Sequence, residues 1–244
     1  MSIVSREIYN VLPKVFKHYN DKYYLALGEC VNDENGENLV IYRSLYDDMK
    51  YCVCPYNIFF EKIKHNGSII HRFNPIDELN MNDTQMSNII QFACDAHKGQ
   101  SRKYTGLPYI NHPIEVAIII SKYQPDAKIA IKAALLHDVI EDTKYTYDDI
   151  VNIANKEIAD IVLEVTDDHT LSKKDQKLNQ ILTAPSKSYY AKIVKLADKL
   201  HNCTCFVNEL KSGEELFSIL AFTKTVVNGL RGTNLEIEDA LDKL

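Results

Sequence analysis

The chain has 244 residues, enough for one large domain or two small ones that each bury a core. Its 28 basic and 34 acidic residues give a net charge of -6 without any basic block, which argues against a general nucleic-acid binder. Six cysteines lack the paired spacing of a disulfide framework, no apolar stretch after Met1 reads as a signal peptide, and the longest wholly apolar run is only Val116 to Ile120; the expectation is a cytoplasmic protein outside the membrane.

Residues 1–75 read as a small β-rich domain. After a short possible helix ending near Pro13, Lys22 to Val31 is dense in Tyr, Leu and Val, and Leu39 to Leu45 repeats that character. Between them Asn32-Asp33-Glu34-Asn35-Gly36 carries an Asn-Gly turn signal, so the two runs predict a hairpin. Tyr51 to Val53, Ile58 to Ile63 and Ile69 to Phe73 are further strand candidates, punctuated by Pro55 and Gly67. A barrel-like or curled sheet would bury them. Cys52-Val53-Cys54, like Cys203-Thr204-Cys205 later, is a C-x-C pair and not the zinc-knuckle spacing, so both are read as free cysteines.

Gly36-Glu37, Val40-Ile41-Tyr42-Arg43-Ser44-Leu45-Tyr46 and Pro55 to Phe59 together resemble a small, uncharacterised bacterial domain family. The pattern implies a fold and no activity, because none of its residues has obvious chemistry.

The polar stretch from Asn74 to Asn82 places a linker at 76–82, and an all-α domain is expected over 83–244. Ile89, Phe92, Ala93 and Ala96 follow helical spacing behind an Asn82/Asp83 cap. Pro113 suits the first turn of a central, nearly all-apolar helix running to Lys122. Further helices are predicted over Asp126–Glu141, Tyr147–Ala154, Glu157–Val165, Lys173–Leu182, Tyr190–Leu210, Glu214–Asn228 and Leu235–Lys243. The fold class is therefore α+β, in two domains.

Chemistry concentrates in Ala133-Ala-Leu-Leu-His-Asp-Val-Ile-Glu-Asp-Thr143. An apolar run leads straight into His137, Asp138, Glu141 and Asp142, which are costly in apolar surroundings. On a continuous helix His137 would stand over Glu141 and Asp138 over Asp142. Carboxylates crowded in this way repel one another unless protons or a cation intervene, and a divalent ion with nitrogen and oxygen ligands is the economical answer.

Two other places supply similar groups. Pro108-Tyr109-Ile110-Asn111-His112-Pro113 puts a histidine at a helix start, and Leu196 to Asn202 puts Asp198 and Asn202 on one helical face. With His137 and Asp138 they give a His, His, Asp, Asp set suited to manganese, iron or zinc, with positions left open for water or a phosphate oxygen. His97 reads as a helix C-terminal histidine, while His18, His65, His71, His169 and His201 read as surface or packing residues. Lys195 and Lys199 read as solvated helix charges, and Asp167-Asp168 as a helix end.

From Asn88 to Leu244 the chain resembles the hydrolase domain of the RelA/SpoT alarmone family, in particular its stand-alone metazoan SpoT homologues. The resemblance rests on Ala96-His97 with Gln100 and Arg102-Lys103, on Gly106-x-Pro-Tyr-Ile-x-His112-Pro, on Ala133 to Thr143, on Val165 to Asp168, on Val194 to Leu200 with Asn202, and on Gly229-Leu-x-Gly-Thr-Asn234.

It implies an all-helical HD fold and a manganese-dependent enzyme that releases pyrophosphate from the ribose 3′ position of (p)ppGpp. Carried over residue by residue, His112, His137, Asp138 and Asp198 would be the metal ligands, and Glu141 and Asp142 would orient or deprotonate the attacking water. Arg102 and Lys103 would face the nucleotide, Tyr109 would line the base pocket, and Asn202 would contact the ribose or its phosphate. The chain departs from the family at Cys203-Thr204-Cys205-Phe206, where Leu-Arg usually follows the asparagine, and at His169, where relatives often have Lys. These departures bear on substrate choice, so the alternatives are an HD phosphohydrolase acting on another nucleotide, such as the 2′-phosphate of NADPH, or an inactive nucleotide sensor.

Overall fold

A computed structural model describes residues 12–79, 81–210 and 213–244; the short helix expected before Pro13 falls on residues 1–11, outside the described residues. In chain order come β1 (Lys14–His18), β2 (Tyr23–Val31), β3 (Asn38–Ser44), β4 (Tyr51–Pro55), the single-turn helix α1 (Tyr56–Phe59), β5 (Lys62–His65), β6 (Ser68–His71) and β7 (Phe73–Pro75). Five of the strands form one antiparallel sheet in the order β4-β3-β2-β1-β7, and β5 and β6 pair as a separate hairpin. The Asn-Gly hairpin between β2 and β3 is present, with Gly36 in the left-handed region at φ 72° and its N–H closing on the Asn32 carbonyl at 2.8 Å.

Three details differ from the sequence reading. Among the described residues the sheet is open and not barrel-like, because β4 and β7 are its two edges and do not pair with each other. The apolar run at Ile58–Phe60 begins as helix α1 and not as a strand, since a run this short carries no decisive period. Strand β1 went unrecognised because Val15 and Phe16, adjacent in sequence, are both buried. They point to opposite faces: Phe16 and Ala26 join an aromatic cluster with Phe59 and Phe73, whereas Val15, Tyr23 and Leu25 join the core of the helices. A strand covered on both faces shows no polar alternation.

The helical part comprises α2 (Thr84–Ala96), α3 (Asn111–Tyr123), α4 (Lys128–Leu136), α5 (Val139–Asp142), α6 (Tyr147–Ile153), α7 (Lys156–Val165), α8 (Lys173–Thr183), α9 (Tyr189–Leu210), α10 (Glu214–Asn228) and α11 (Leu235–Asp242). Asp83 caps α2 by accepting from the N–H groups of Gln85 and Met86, as its position before the periodic run predicted. Helices α3, α4, α7 and α9 pack around Ile114, Ala117, Leu135, Val162 and Val194. That core continues without a break into Val15, Tyr23, Leu25 and Leu45, so the sheet and the helices share one apolar cluster. Among the described residues no helix is long and apolar enough to cross a membrane.

The Gly229 to Asn234 motif is a structural turn. Gly229 backs onto Ala184 so closely that a Cβ there would lie 2.8 Å from the alanine methyl. Glu238 accepts from the backbone N–H groups of Gly232, Thr233 and Asn234, while Asn234 caps α11.

Candidate metal centre and adjoining cavity

The predicted helix through Glu141 is interrupted. Helix α4 ends at Leu136, His137 and Asp138 form a turn, and α5 resumes at Val139. Neighbouring residues of an unbroken helix project about 100° apart, so two adjacent side chains cannot aim at one point. With Asp138 at φ -96° and ψ -1°, in the bridge region where many active-site residues sit, both side chains turn to a common centre.

His112, from the first turn of α3, and Asp198, from the middle of α9, meet them there. His112 Nε2 lies 3.2 Å from Asp198 Oδ1 and 3.5 Å from Asp138 Oδ2. His137 Nε2 lies 3.1 Å from Asp138 Oδ2 and 3.8 Å from Asp198 Oδ1. The donor atoms of His112, His137 and Asp198 all fall within 4.8 Å of one another, and the three residues are buried. This is the group that three separated sequence motifs were expected to bring together, with Asp138 beside it.

The centre has the electrostatics of a cation site. Although burial opposes it, the Asp138 and Asp198 carboxylates hold His137 up at about 9. Asp198 is held well below the usual carboxylate range against the effect of burial, by the His112 hydrogen bond and by Lys199. His137 Nδ1 donates to the Ala134 carbonyl at 2.7 Å, which leaves Nε2 facing the carboxylates, where either a proton or a cation can sit; that atom is buried and has no hydrogen-bond partner among the described residues. A buried imidazole nitrogen with no partner, aimed at two carboxylates, fits a divalent cation.

The surroundings brace these four groups. His112 Nδ1 lies 2.8 Å from Nδ1 of His201, a residue that the sequence reading assigned to packing. Its helical spacing of three residues from Asp198 was the available signal; its partner, 89 positions away, was not. Burial pushes His201 down to about 3. Asn202 donates to Asp198 Oδ1 and accepts from Arg102, each at 2.6 Å, so an arginine, an amide and a carboxylate form a chain leading into the centre.

Tyr109 lies 2.8 Å from both Asp138 Oδ2 and Asp142 Oδ2, with its ring stacked on His97 and below the Arg102 guanidinium. Its single hydroxyl hydrogen serves one carboxylate at a time. His97 is the C-cap of α2, as expected of a helix-end histidine, and pairs through Nδ1 with Gln100. Gln100 in turn donates to the Asp142 carbonyl. Glu141 accepts from the Asp167 N–H at 3.0 Å; burial and then the Asp167 and Asp138 carboxylates raise its pKa. The helix end at Val165–Asp168 thus helps to hold Glu141, and Lys195 secures the same loop by donating to the Val165 carbonyl at 2.9 Å.

Beside the centre lies a cavity of about 460 Å³ lined by Arg102, Lys103, Lys177 and Lys199, with Tyr104, Tyr109, Phe206 and Phe222 among its walls and Asn202 at its inner end. Four cations and several aromatic rings, with no carboxylate among the lining residues, suit a polyanion that carries a flat apolar group. The volume is that of a small-molecule site. Phe206, one of the departures, meets Tyr104 edge-on at 5.5 Å, so the change alters the wall of this cavity.

Comparison with known proteins finds the model of the HD domain family at residues 90–221, and that of a protein family of unknown function, DUF1653, at residues 14–75. The chain is 41% identical to the guanosine-3′,5′-bis(diphosphate) 3′-pyrophosphohydrolase MESH1 of Danio rerio over 64% of this chain and 89% of that protein. It is 41% identical to the human protein of the same name, over 66% and 92%. The bifunctional (p)ppGpp synthase/hydrolase SpoT of Escherichia coli K12 is 34% identical over 56% of this chain and 19% of its own length. A solved structure described as a metazoan orthologue of SpoT that hydrolyses ppGpp superposes with a TM-score of 0.62 at 36% identity, covering 66% of this chain and 93% of its own.

Proposed function

Since the chain belongs to the HD domain family, we propose that it is a manganese-dependent 3′-pyrophosphohydrolase of (p)ppGpp, giving GDP or GTP and pyrophosphate. The observation that carries this reading is the convergence of His112, His137, Asp138 and Asp198 beside a cation-lined cavity, to which Asn202 joins them through its hydrogen bond to Asp198. These four residues would hold the divalent ion. Once bound, it supplies positive charge to the phosphoryl oxygens and lowers the pKa of the attacking water.

The chain's own side chains account for the remaining steps. Arg102, Lys103, Lys177 and Lys199 meet the phosphates and offset the charge that builds up in the transition state, which a net-acidic protein has to gather locally. Tyr109 lines the cavity that takes the base, and Asn202 faces the ribose. The water oxygen bonds to the phosphorus attached to the ribose 3′ oxygen, that P–O bond breaks, and the 3′ oxygen leaves with a proton. Glu141, whose raised pKa brings it closer to neutrality, takes the proton of the water, and Asp142, tied to Tyr109, orients it.

Incubating the purified chain with Mn²⁺ and ppGpp, pppGpp or NADPH, with identification of the products, tests the proposal. Release of pyrophosphate and GDP from ppGpp is the expected result. Turnover of NADPH alone, or of none of the three, would overturn it.

A further inference from the structure

The relatives above align with 56–66% of this chain, and the sheet lies outside the HD match. It nevertheless touches the helix that carries His112. The β1–β2 turn closes with the Asp21 N–H on the His18 carbonyl at 2.9 Å, and Asp21 is held in the left-handed region at φ 60°. In that conformation its carbonyl accepts from Asn111 Nδ2 at 2.6 Å. One turn further along α3, Glu115 Oε1 accepts from Lys17 of β1 at 2.9 Å and from the hydroxyl of Tyr23 of β2.

Asn111 and Glu115 stand four residues apart and so share one face of α3. Two anchors on one face fix the roll of a helix about its axis. His112, the residue after Asn111, projects about 100° round from that face. With Nε2 roughly 6 Å from the axis, a roll of about 10° would displace it by about 1 Å. Metal–ligand distances tolerate only about 0.2 Å. Beside these contacts lies a cavity of about 370 Å³ whose lining includes Lys17, Asp21, Asn111, His112, Glu115 and His201, so next to His112 the polar contacts supplement the apolar core that the sheet and α3 share.

We infer that the N-terminal sheet is part of the support of the metal centre: Asp21, Lys17 and Tyr23 act through Asn111 and Glu115 as positioning residues for His112. None of the five touches the cation-lined cavity. The inference rests on the reading of His112 as a ligand, and its test reads metal affinity directly.

The test compares the full chain with its Tyr23→Phe, Glu115→Gln and Tyr23→Phe/Asn111→Ala variants. Calorimetric titration with Mn²⁺, without nucleotide, should show the double variant binding about tenfold more weakly, the scale on which outer contacts of ligands act. The Mn²⁺ concentration for half-maximal ppGpp turnover should rise by the same factor, with KM for ppGpp and kcat at saturating Mn²⁺ within twofold. Glu115→Gln keeps an acceptor for Tyr23 and should stay within threefold of the parent affinity. Parental Mn²⁺ affinity in the double variant overturns the inference. Should the double variant fail to fold, Tyr23→Phe decides alone, because it deletes one hydroxyl and keeps the ring; a threefold loss supports the inference and unchanged binding overturns it. A parent chain that binds Mn²⁺ but leaves ppGpp intact would defeat the functional proposal and leave this measurement readable.

Discussion

The sheet from Lys14 to Pro75 buries only apolar and aromatic side chains, whereas every buried polar or charged residue among those described lies between His97 and Glu238. Both regions fold around apolar cores, yet among the described residues only the helical one buries charged, histidine or amide side chains. Such burial costs free energy unless each group is paired. His112, His137 and Asp198 converge, His97 and Asn111 flank them, and Lys195 holds the loop behind Glu141. The comparison separates a region built to be stable from one that gives up stability for chemistry.

Substitutions on the two sides of this divide should have effects of different kinds. The largest expected is His137→Ala, which removes a buried donor: metal analysis should find the bound ion lost, and turnover of ppGpp should fall by about 10⁴-fold. On the other side, Phe59→Ala empties a site where the ring stacks on Phe73 at 4.1 Å and meets Phe16 edge-on. Chemical denaturation should show a loss of about 3–5 kcal/mol. Mn²⁺ affinity of the folded fraction should be unchanged, because Phe59 of α1 packs on the sheet face opposite the one that joins the helical core.

Glu141→Gln should lower kcat by about 10²–10³-fold, as removal of a general base does. It should not lower stability. Burial raises the folded pKa of Glu141 above its unfolded value, so the folded state binds the proton more tightly and the ionised carboxylate is a cost that grows as pH rises. Measured without added metal, the stability of Glu141→Gln relative to the parent should be highest above the raised pKa and should vanish below the ordinary carboxylate value. Arg102→Ala is expected to have the smallest effect, lowering kcat/KM for ppGpp by about 10- to 100-fold in steady-state assays. Part of that loss comes from releasing Asn202, and through it Asp198.

Much of the helical part is legible in the sequence, because periodic apolar residues and caps such as Asp83 and Asn234 mark where helices start. Of the four converging groups, His137 and Asp138 stood out as polar residues set into an apolar run, whereas His112 and Asp198 were marked only by a helix start and a helical face, and the family resemblance tied the four together. The break at His137-Asp138 was not legible: Ala133 to Thr143 reads as one helix, and only the need to aim two adjacent side chains at one point requires the turn. His201 was passed over because its role depends on a histidine from a different helix. In the sheet, the β2–β3 hairpin announced itself through Asn35-Gly36, while β1 and α1 lacked the alternation that would have identified them.

The contact between the Nδ1 atoms of His112 and His201 has room for a single hydrogen. Were His112 to give its Nε2 lone pair to a cation, that hydrogen would have to sit on its own Nδ1, and His201 would accept the hydrogen bond and keep its one proton on Nε2, the atom 3.7 Å from Cys205 Sγ. Filling the centre would therefore select one tautomer in a ring outside the ligand set. Because burial keeps His201 neutral down to about pH 3, ordinary acidity does not erase that choice.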